Sequence, residues 1–444
     1  MAHIDRISHL PEELLLRILS LLPTKDVVFT MVLSKRWKFL WMLVPRLEYD
    51  HGMYRDDDEE KRFSRFVYSS LLLHEAPVLE SFRFKLDWKP SAIDIGVWVR
   101  TAVKRCVREL DIKIRSPRNS VILPWSLYSE GCRMLVTLKL SNTTLVDASS
   151  LPASSFPSLK NLSLVYMKYP SEKFVNEFLS NCPVLEDLVV VQCPDDNVTV
   201  LTVKIPSLKS LSLSKTWDLN YSKEDEACGF VIDAPLLDCF DIDVDRSYGG
   251  FCTIMNNMPR IVYANLNIGY GIRWKILGSI TSVKRLYLCL STTKNAYPVG
   301  TVFHRLVHLT LYTCGTKWLE LLMCLLRDSP KLQVLKFKHC NGFRGDIRKP
   351  RPFWNEPNSV PGCVLSSLET LEWVEYKGTE EEKEVVAFIF RSASFASCLN
   401  QATIICSESI DHDKKLEMLN DFPVSSRRSP ACLLAFCWNL RSEF

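Results

Sequence analysis

The chain has 444 residues, 24% of them charged and 47% apolar, and carries a net charge of +4. Those are ordinary globular values for two or three domains or one repeat array. The charge balance gives no case for nucleic acid, which asks for a basic patch, and no apolar run reaches the length of a membrane span. Pro11 suits the start of a helix, because the amide hydrogen it lacks has no partner there. Glu12 and Glu13 then favour the dipole of the first turn. Leu14, Leu15, Ile18, Leu19 and Leu22 follow as a wide apolar stripe. Pro23-Thr24 breaks the helix and restarts it with Thr24 as a candidate N-cap, and Ser34 can cap a third helix carrying Trp37 and Trp41 on one face.

Three short helices cannot enclose that much apolar surface alone. Either the segment packs on the rest of the chain, or its leucines wait for a partner. Leu10-Pro11, the spaced leucines, Leu22-Pro23-Thr24-Lys25-Asp26 and Leu33-Ser34-Lys35-Arg36-Trp37 resemble an F-box of the form common in plant proteins. Met31 departs from the pattern, standing where the family usually has a small polar residue. The resemblance implies a module that binds a Skp-type adaptor and, through it, a cullin. It implies contacts from Leu10, Pro11, Leu14, Leu15, Ile18, Leu19, Leu22 and Pro23, with Leu33, Trp37 and Trp41 contributing from the later helices.

Next comes an acidic stretch, Asp56 to Glu60, which reads as a solvated linker. Beyond it the pattern Pro-x-Leu-x-x-apolar-x-apolar recurs, beginning at Pro77, Pro157, Pro183, Pro206, Pro235 and Pro330. Copies without the proline start at Val107, Leu135, Val283, Leu306 and Leu368, and a weaker one runs Tyr263/Leu266/Ile268. Successive copies lie mostly 20 to 29 residues apart, the period of leucine-rich repeats. One strand per copy, with alternate leucines inward, needs its neighbours stacked on it to bury them. Two return segments carry helical stripes, at Phe174/Val175/Phe178/Leu179 and Trp318/Leu319/Leu322/Leu325/Leu326.

The position between the last two apolar residues of each strand is expected on the concave face. Those residues are Arg83, Asp111, Lys139, Ser163, Val189, Ser212, Asp241, Asn267, Tyr287, Thr310, Lys336 and Glu372. A nucleic-acid groove would be dominated by Lys and Arg, so the mixed row suits a protein target or plain solvated sheet. Cys193, Cys314 and Cys340 fall where such repeats place an inward Asn or Cys.

From Pro350 four prolines crowd into a dozen residues and mark a boundary. A helix-like run from Glu380 to Phe390 follows, then strands at 402–406 and 432–436 around a short helix at 416–419. Trp354, Pro357, Val360-Pro361-Gly362-Cys363, Trp373, Tyr376-Lys377-Gly378, Arg428-Ser429 and Cys432 resemble the FBD segment behind many plant F-boxes. Cys437-Trp438-Asn439-Leu440 is an unusual tail. The segment either binds a target or regulator, or seals the end of the repeats.

Chemistry is not marked. There is no Gly-x-Ser-x-Gly, His-Glu-x-x-His or Walker-type loop, and the sixteen cysteines contain no Cys-x-x-Cys. They read as buried thiols of a reducing compartment, and the sequons at Asn142, Asn161, Asn197 and Asn220 as chance matches. Asp5, Arg6, Glu12 and Glu13 interrupt any apolar signal core, so nucleus or cytoplasm is the expected location.

The expected fold class is α/β: a three-helix F-box at 1–50, a solenoid of parallel strands with irregular or helical returns at 51–349, and a small α+β FBD-like cap at 350–444. The resemblance implies a non-catalytic substrate receptor of an SCF-type ubiquitin ligase. It would have no cofactor or metal, and its partners would be a protein target, the adaptor and cullin. A small-ligand-dependent receptor and a ligase-independent scaffold remain as alternatives.

Overall fold

The computed structural model describes residues 7, 10–54, 59–115, 120–146, 155–193, 196–215, 229–244, 251–268, 273–274, 276–290, 297, 300–313, 318–339, 354, 357, 359–394, 398–407, 418 and 433–437. Asp56 to Asp58, Asn220, Cys314, Cys340, Arg428, Ser429, Cys432 and the tail from Trp438 lie outside them, as does the short helix at 416–419 apart from Met418. The chain divides into two compact units, residues 1–208 and 209–444.

The first unit opens with α1 (Glu12–Leu19), α2 (Thr24–Phe29) and α3 (Trp37–Leu40). Pro11 and Pro23 are the N-caps of α1 and α2. Thr24 is therefore not a cap: its Oγ1 accepts a hydrogen bond from the backbone N–H of Glu48 at 2.8 Å. Ser34 caps nothing either, because α3 begins three residues later without a side-chain cap.

Six parallel strands follow: β1 (Arg46–Asp50), β2 (Ser81–Leu86), β3 (Glu109–Ile114), β4 (Thr137–Ser141), β5 (Asn161–Val165) and β6 (Asp187–Gln192). They pair in register, so one inward row reads Leu47, Phe82, Leu110, Leu138, Leu162, Leu188. A second reads Tyr49, Phe84, Ile112, Leu140, Leu164, Val190, and both rows are buried. Period-two alternation with one covered face produces this arrangement.

Returns in this unit include α4 (Glu59–Leu73), α5 (Ala92–Lys104) and α6 (Glu172–Ser180). The acidic stretch is thus not all linker, since Glu59 and Glu60 open α4. Ser91 caps α5 and Ser171 caps α6 through their side-chain oxygens. Gly131 sits beneath the end of α5, where a Cβ would lie 2.5 Å from the Val103 carbonyl oxygen. Gly131→Ala should therefore lower stability by roughly 1–3 kcal/mol, read as a lower urea midpoint at unchanged slope.

The second unit stacks nine more strands: β7 (Ser210–Lys215), β8 (Cys239–Val244), β9 (Tyr263–Ile268), β10 (Arg285–Leu290), β11 (His308–Tyr312), β12 (Val334–Lys338), β13 (Thr370–Tyr376), β14 (Gln401–Cys406) and β15 (Leu433–Cys437). All eight neighbouring pairs are parallel. The last three strands, in the C-terminal segment, continue the repeat ladder. Alongside runs a smaller parallel set, Gly229–Asp233, Phe251–Ile254 and Arg273–Trp274.

Helix α7 (Trp318–Asp328) buries the expected stripe of Trp318, Leu319, Leu322, Leu325 and Leu326. Helix α8 (Glu380–Ser394) is started by Glu382, which accepts from the backbone N–H of Lys377 at 3.0 Å and of Thr379 at 3.2 Å. Thr379-x-x-Glu382 has the spacing of a capping box. Burial pushes the Glu382 carboxyl up to about 7 against those amides. A carboxyl raised in the folded state holds its proton there more tightly than in the unfolded chain. Stability should therefore fall as pH rises from the unfolded value near 4.5 to about 7, and Glu382→Gln should flatten that part of a melting-temperature profile.

Two sequence expectations shift. Cys193 is half-buried, and the covered polar side chain is Gln192, whose Nε2 donates to the Val198 carbonyl at 3.2 Å. The weak copy at Tyr263 is out of step by two residues: β8 and β10 align Phe240 and Leu286 with Ala264, not Leu266. Asn265 rather than Asn267 thus belongs with Asp241 and Tyr287.

Candidate docking surface

The N-terminal helices close a small core of their own. Leu15, Leu19, Val27, Trp37, Leu40, Trp41 and Val44 are buried together, with Leu10 packed partly against them. Arg36 ties the third helix back by donating to the Leu10 carbonyl at 2.7 Å. Leu15, Leu19, Trp37 and Trp41 therefore form the interior of the module and present nothing outward; the broad stripe on α1 has two faces.

The other expected contact residues stay at the surface. Pro11, Leu14, Ile18, Leu22 and Leu33 are exposed, and Leu10 and Pro23 are half-buried. Around them the structure adds Leu21 at 80% exposure, Val32 at 81%, Phe29 at 60% and Phe39 at 60%, which the sequence reading left out. Their signal was present: each is an apolar residue of the module outside its inward set. Isolated exposed apolar residues are ordinary, whereas this many on one forty-residue module make it the candidate docking surface.

Beside α1 lies an open cleft of about 650 Å³, bordered by Leu16, Arg17, Leu21, Pro45, Pro77 and Val78. The module is fixed at this end to the segment that follows α4. Backbone N–H groups of Glu75 and Ala76 donate to the Met42 carbonyl at 2.8 and 3.1 Å. His74 Nε2 lies 2.8 Å from the Val44 carbonyl oxygen, and burial lowers the His74 imidazole to about 4, leaving it neutral at pH 7.

The outward rows of the two ladders differ. Across β1 to β4 of the first unit, the row Glu48, Arg83, Asp111, Lys139 alternates in charge, with Lys85 reaching Glu48 at 2.6 Å and Arg83 reaching Glu109 at 2.8 Å. Burial raises the Asp111 carboxyl, with Lys139 and Arg83 opposing. In the second unit the row mixes Asp241, Asn265 and Tyr287 with a Lys336–Glu372 pair at 2.7 Å. Thr310 belongs to this row by register but is 1% exposed, so it lies beneath its neighbours.

These features define a class: a repeat protein of stacked parallel strands headed by a self-contained helical module with an uncovered apolar face. Family comparisons agree with each part. Residues 7–49 match the F-box domain, residues 95–245 the leucine-rich repeats of FBD-associated F-box protein At5g56370, and residues 356–404 the FBD family. The Arabidopsis thaliana protein named Probable FBD-associated F-box protein At1g32375 is 56% identical, over 97% of this chain and all of its own length. F-box/FBD/LRR-repeat protein At5g56420 of the same plant is 46% identical, over 97% of this chain and 99% of its own. The chain belongs to the family of plant F-box proteins with leucine-rich repeats and an FBD segment.

Proposed function

We propose that the chain is the non-catalytic, target-binding subunit of an SCF-type ubiquitin ligase in the nucleus or cytoplasm. The F-box of residues 1–50 binds a Skp-type adaptor through Leu10, Pro11, Leu14, Ile18, Leu22, Pro23 and Leu33, with Leu21, Phe29, Val32 and Phe39 extending the contact. The repeats of 51–349 hold a protein target, and the segment of 350–444 lengthens the surface that meets it. The observation that carries this reading is the exposed apolar face on a module whose own core is already closed.

Such a subunit makes and breaks no bond. It raises the local concentration of a target near a conjugating enzyme carried elsewhere in the assembly. Mixed charges on the outward rows suit a protein partner, and the ladder is long enough for the extended contact typical of repeat surfaces.

The test is co-expression with a Skp-type adaptor and a cullin, followed by affinity purification on this chain. Recovery of both is the expected result. Adaptor without cullin indicates a ligase-independent scaffold, and a folded chain that recovers neither removes the ligase reading.

A further inference from the structure

One stretch of the second ladder differs from the rest of its face. Outward positions on β8 to β11 bring Asp241, Tyr263, Arg285, Tyr287 and His308 onto adjacent strands. The Tyr263 and Tyr287 rings are 5.4 Å apart and tilted by 44°, and His308 stacks on Tyr287 at 5.7 Å and 25°. Burial raises the phenols of both Tyr263 and Tyr312, and Asp241 and Tyr287 act on each, so these groups share one spot.

Asp241 is half-buried among them and accepts from the Asn265 amide at 3.3 Å, a long bond from a neutral donor. Burial raises its carboxyl and the Asp243 carboxylate pushes the same way. Burial lowers the His308 imidazole, and Arg285, level with Tyr263 and His308, pushes the same way. Among the described residues Asp241 makes no ion pair, whereas Glu372 on the same ladder has Lys336 and Glu109 in the first ladder has Arg83. A carboxylate framed by π faces attracts a cation, and a guanidinium suits it better than an ammonium because it can stack on the ring and fork onto the carboxylate together. The chain's net charge of +4 supplies no general attraction for a basic segment, so recognition has to be local.

We infer that this spot binds an arginine side chain presented by the target, its guanidinium stacked on Tyr263 or Tyr287 and bonded to Asp241. The inference deepens the target-binding reading above and rests on it. It names the chemistry of the target and not the target itself.

The experiment uses the full chain and a fluorescein-labelled decapeptide of alternating Arg and Ser, read by fluorescence anisotropy at near-physiological salt. Matched peptides carry citrulline or lysine in place of arginine. Binding of the arginine peptide is expected to weaken about tenfold or more in Asp241→Asn, to weaken with lysine and to vanish with citrulline. Lys173→Gln, on the return helix α6 and paired there with Glu177, should leave it unchanged. Equal binding of the citrulline peptide, equal binding by Asp241→Asn, or no binding by folded wild type overturns the inference. Adaptor capture measured on the same samples separates the two readings: loss of capture with peptide binding intact sinks the ligase reading alone, and the reverse sinks only this one.

Discussion

Leu14→Asp/Ile18→Asp should abolish capture of a Skp-type adaptor while leaving the melting curve of the chain where it was. Both side chains are more than 40% exposed, so a carboxylate there stays solvated in the free protein and costs little. In a complex each would be buried without a counter-charge. Central interface residues typically contribute about 2 kcal/mol or more when truncated, so two charged replacements should weaken binding by roughly a thousandfold. The control is the adjacent residue. Leu15 is completely buried, and Leu15→Ala should cost about 2–5 kcal/mol of stability. It would weaken capture only through unfolding, and cooling or an osmolyte would restore it. Titrating the adaptor while following circular dichroism distinguishes the cases. A double aspartate variant that still binds with wild-type affinity would place the adaptor on another surface.

The second large effect concerns Trp373, the inward residue of β13. It is completely buried, 4.3 Å from the Phe337 ring and 5.4 Å from Tyr376, with Trp318 of α7 edge-on at 6.0 Å. Trp373→Ala empties the centre of that cluster and should lose about 3–5 kcal/mol, measured by urea unfolding. Trp373→Phe should be far milder, within about 1.5 kcal/mol. The reason is the indole nitrogen, which has no hydrogen-bond partner among the described residues, so phenylalanine gives up volume and also removes a desolvated donor. Equal losses for the two variants would mean that the cavity does not govern stability here.

The repeat ladder was readable because leucines at fixed spacing leave little choice about which face is covered. Pro206/Leu208/Leu211/Leu213 and its fellows each produced a strand over the expected residues. Where the reading failed, the side chain was ambiguous. Ala264 occupies a leucine position and does not announce itself, which moved Asn265 out of the outward row. Val44, Leu47 and Tyr49 keep the repeat spacing, yet β1 was passed over because its residues also fall within the F-box. Helix α4 opens in the acidic stretch, where charge looked like linker.

The exposed apolar residues of the helical module were half legible for a related reason. A helix with apolar residues on two faces, as on α1, has one face in its own core and one left exposed, and periodicity cannot say which. Only packing assigned Leu15 and Leu19 inward and Leu14 and Ile18 outward. The aromatic and acidic spot on the second ladder had no motif at all, because its members lie twenty or more residues apart and meet through strand register.

The joint between the helical module and the first repeat, β1 with α4 and the segment after it, has a mechanical consequence. Thr24 bonds Glu48, the Met42 carbonyl holds two amides, and Tyr49 Oη meets Ser70 Oγ at 2.8 Å inside the core. These bonds tie the helical module to the first repeat and brace β1 against α4, so the strands of the first unit act as graduations on a ruler. Each successive strand stands about 4.8 Å further along, which carries β6 roughly 24 Å from β1. On the target-binding reading proposed above, inserting or deleting one repeat would shift a bound target by a fixed step relative to the helical module, and reach, rather than affinity, would change.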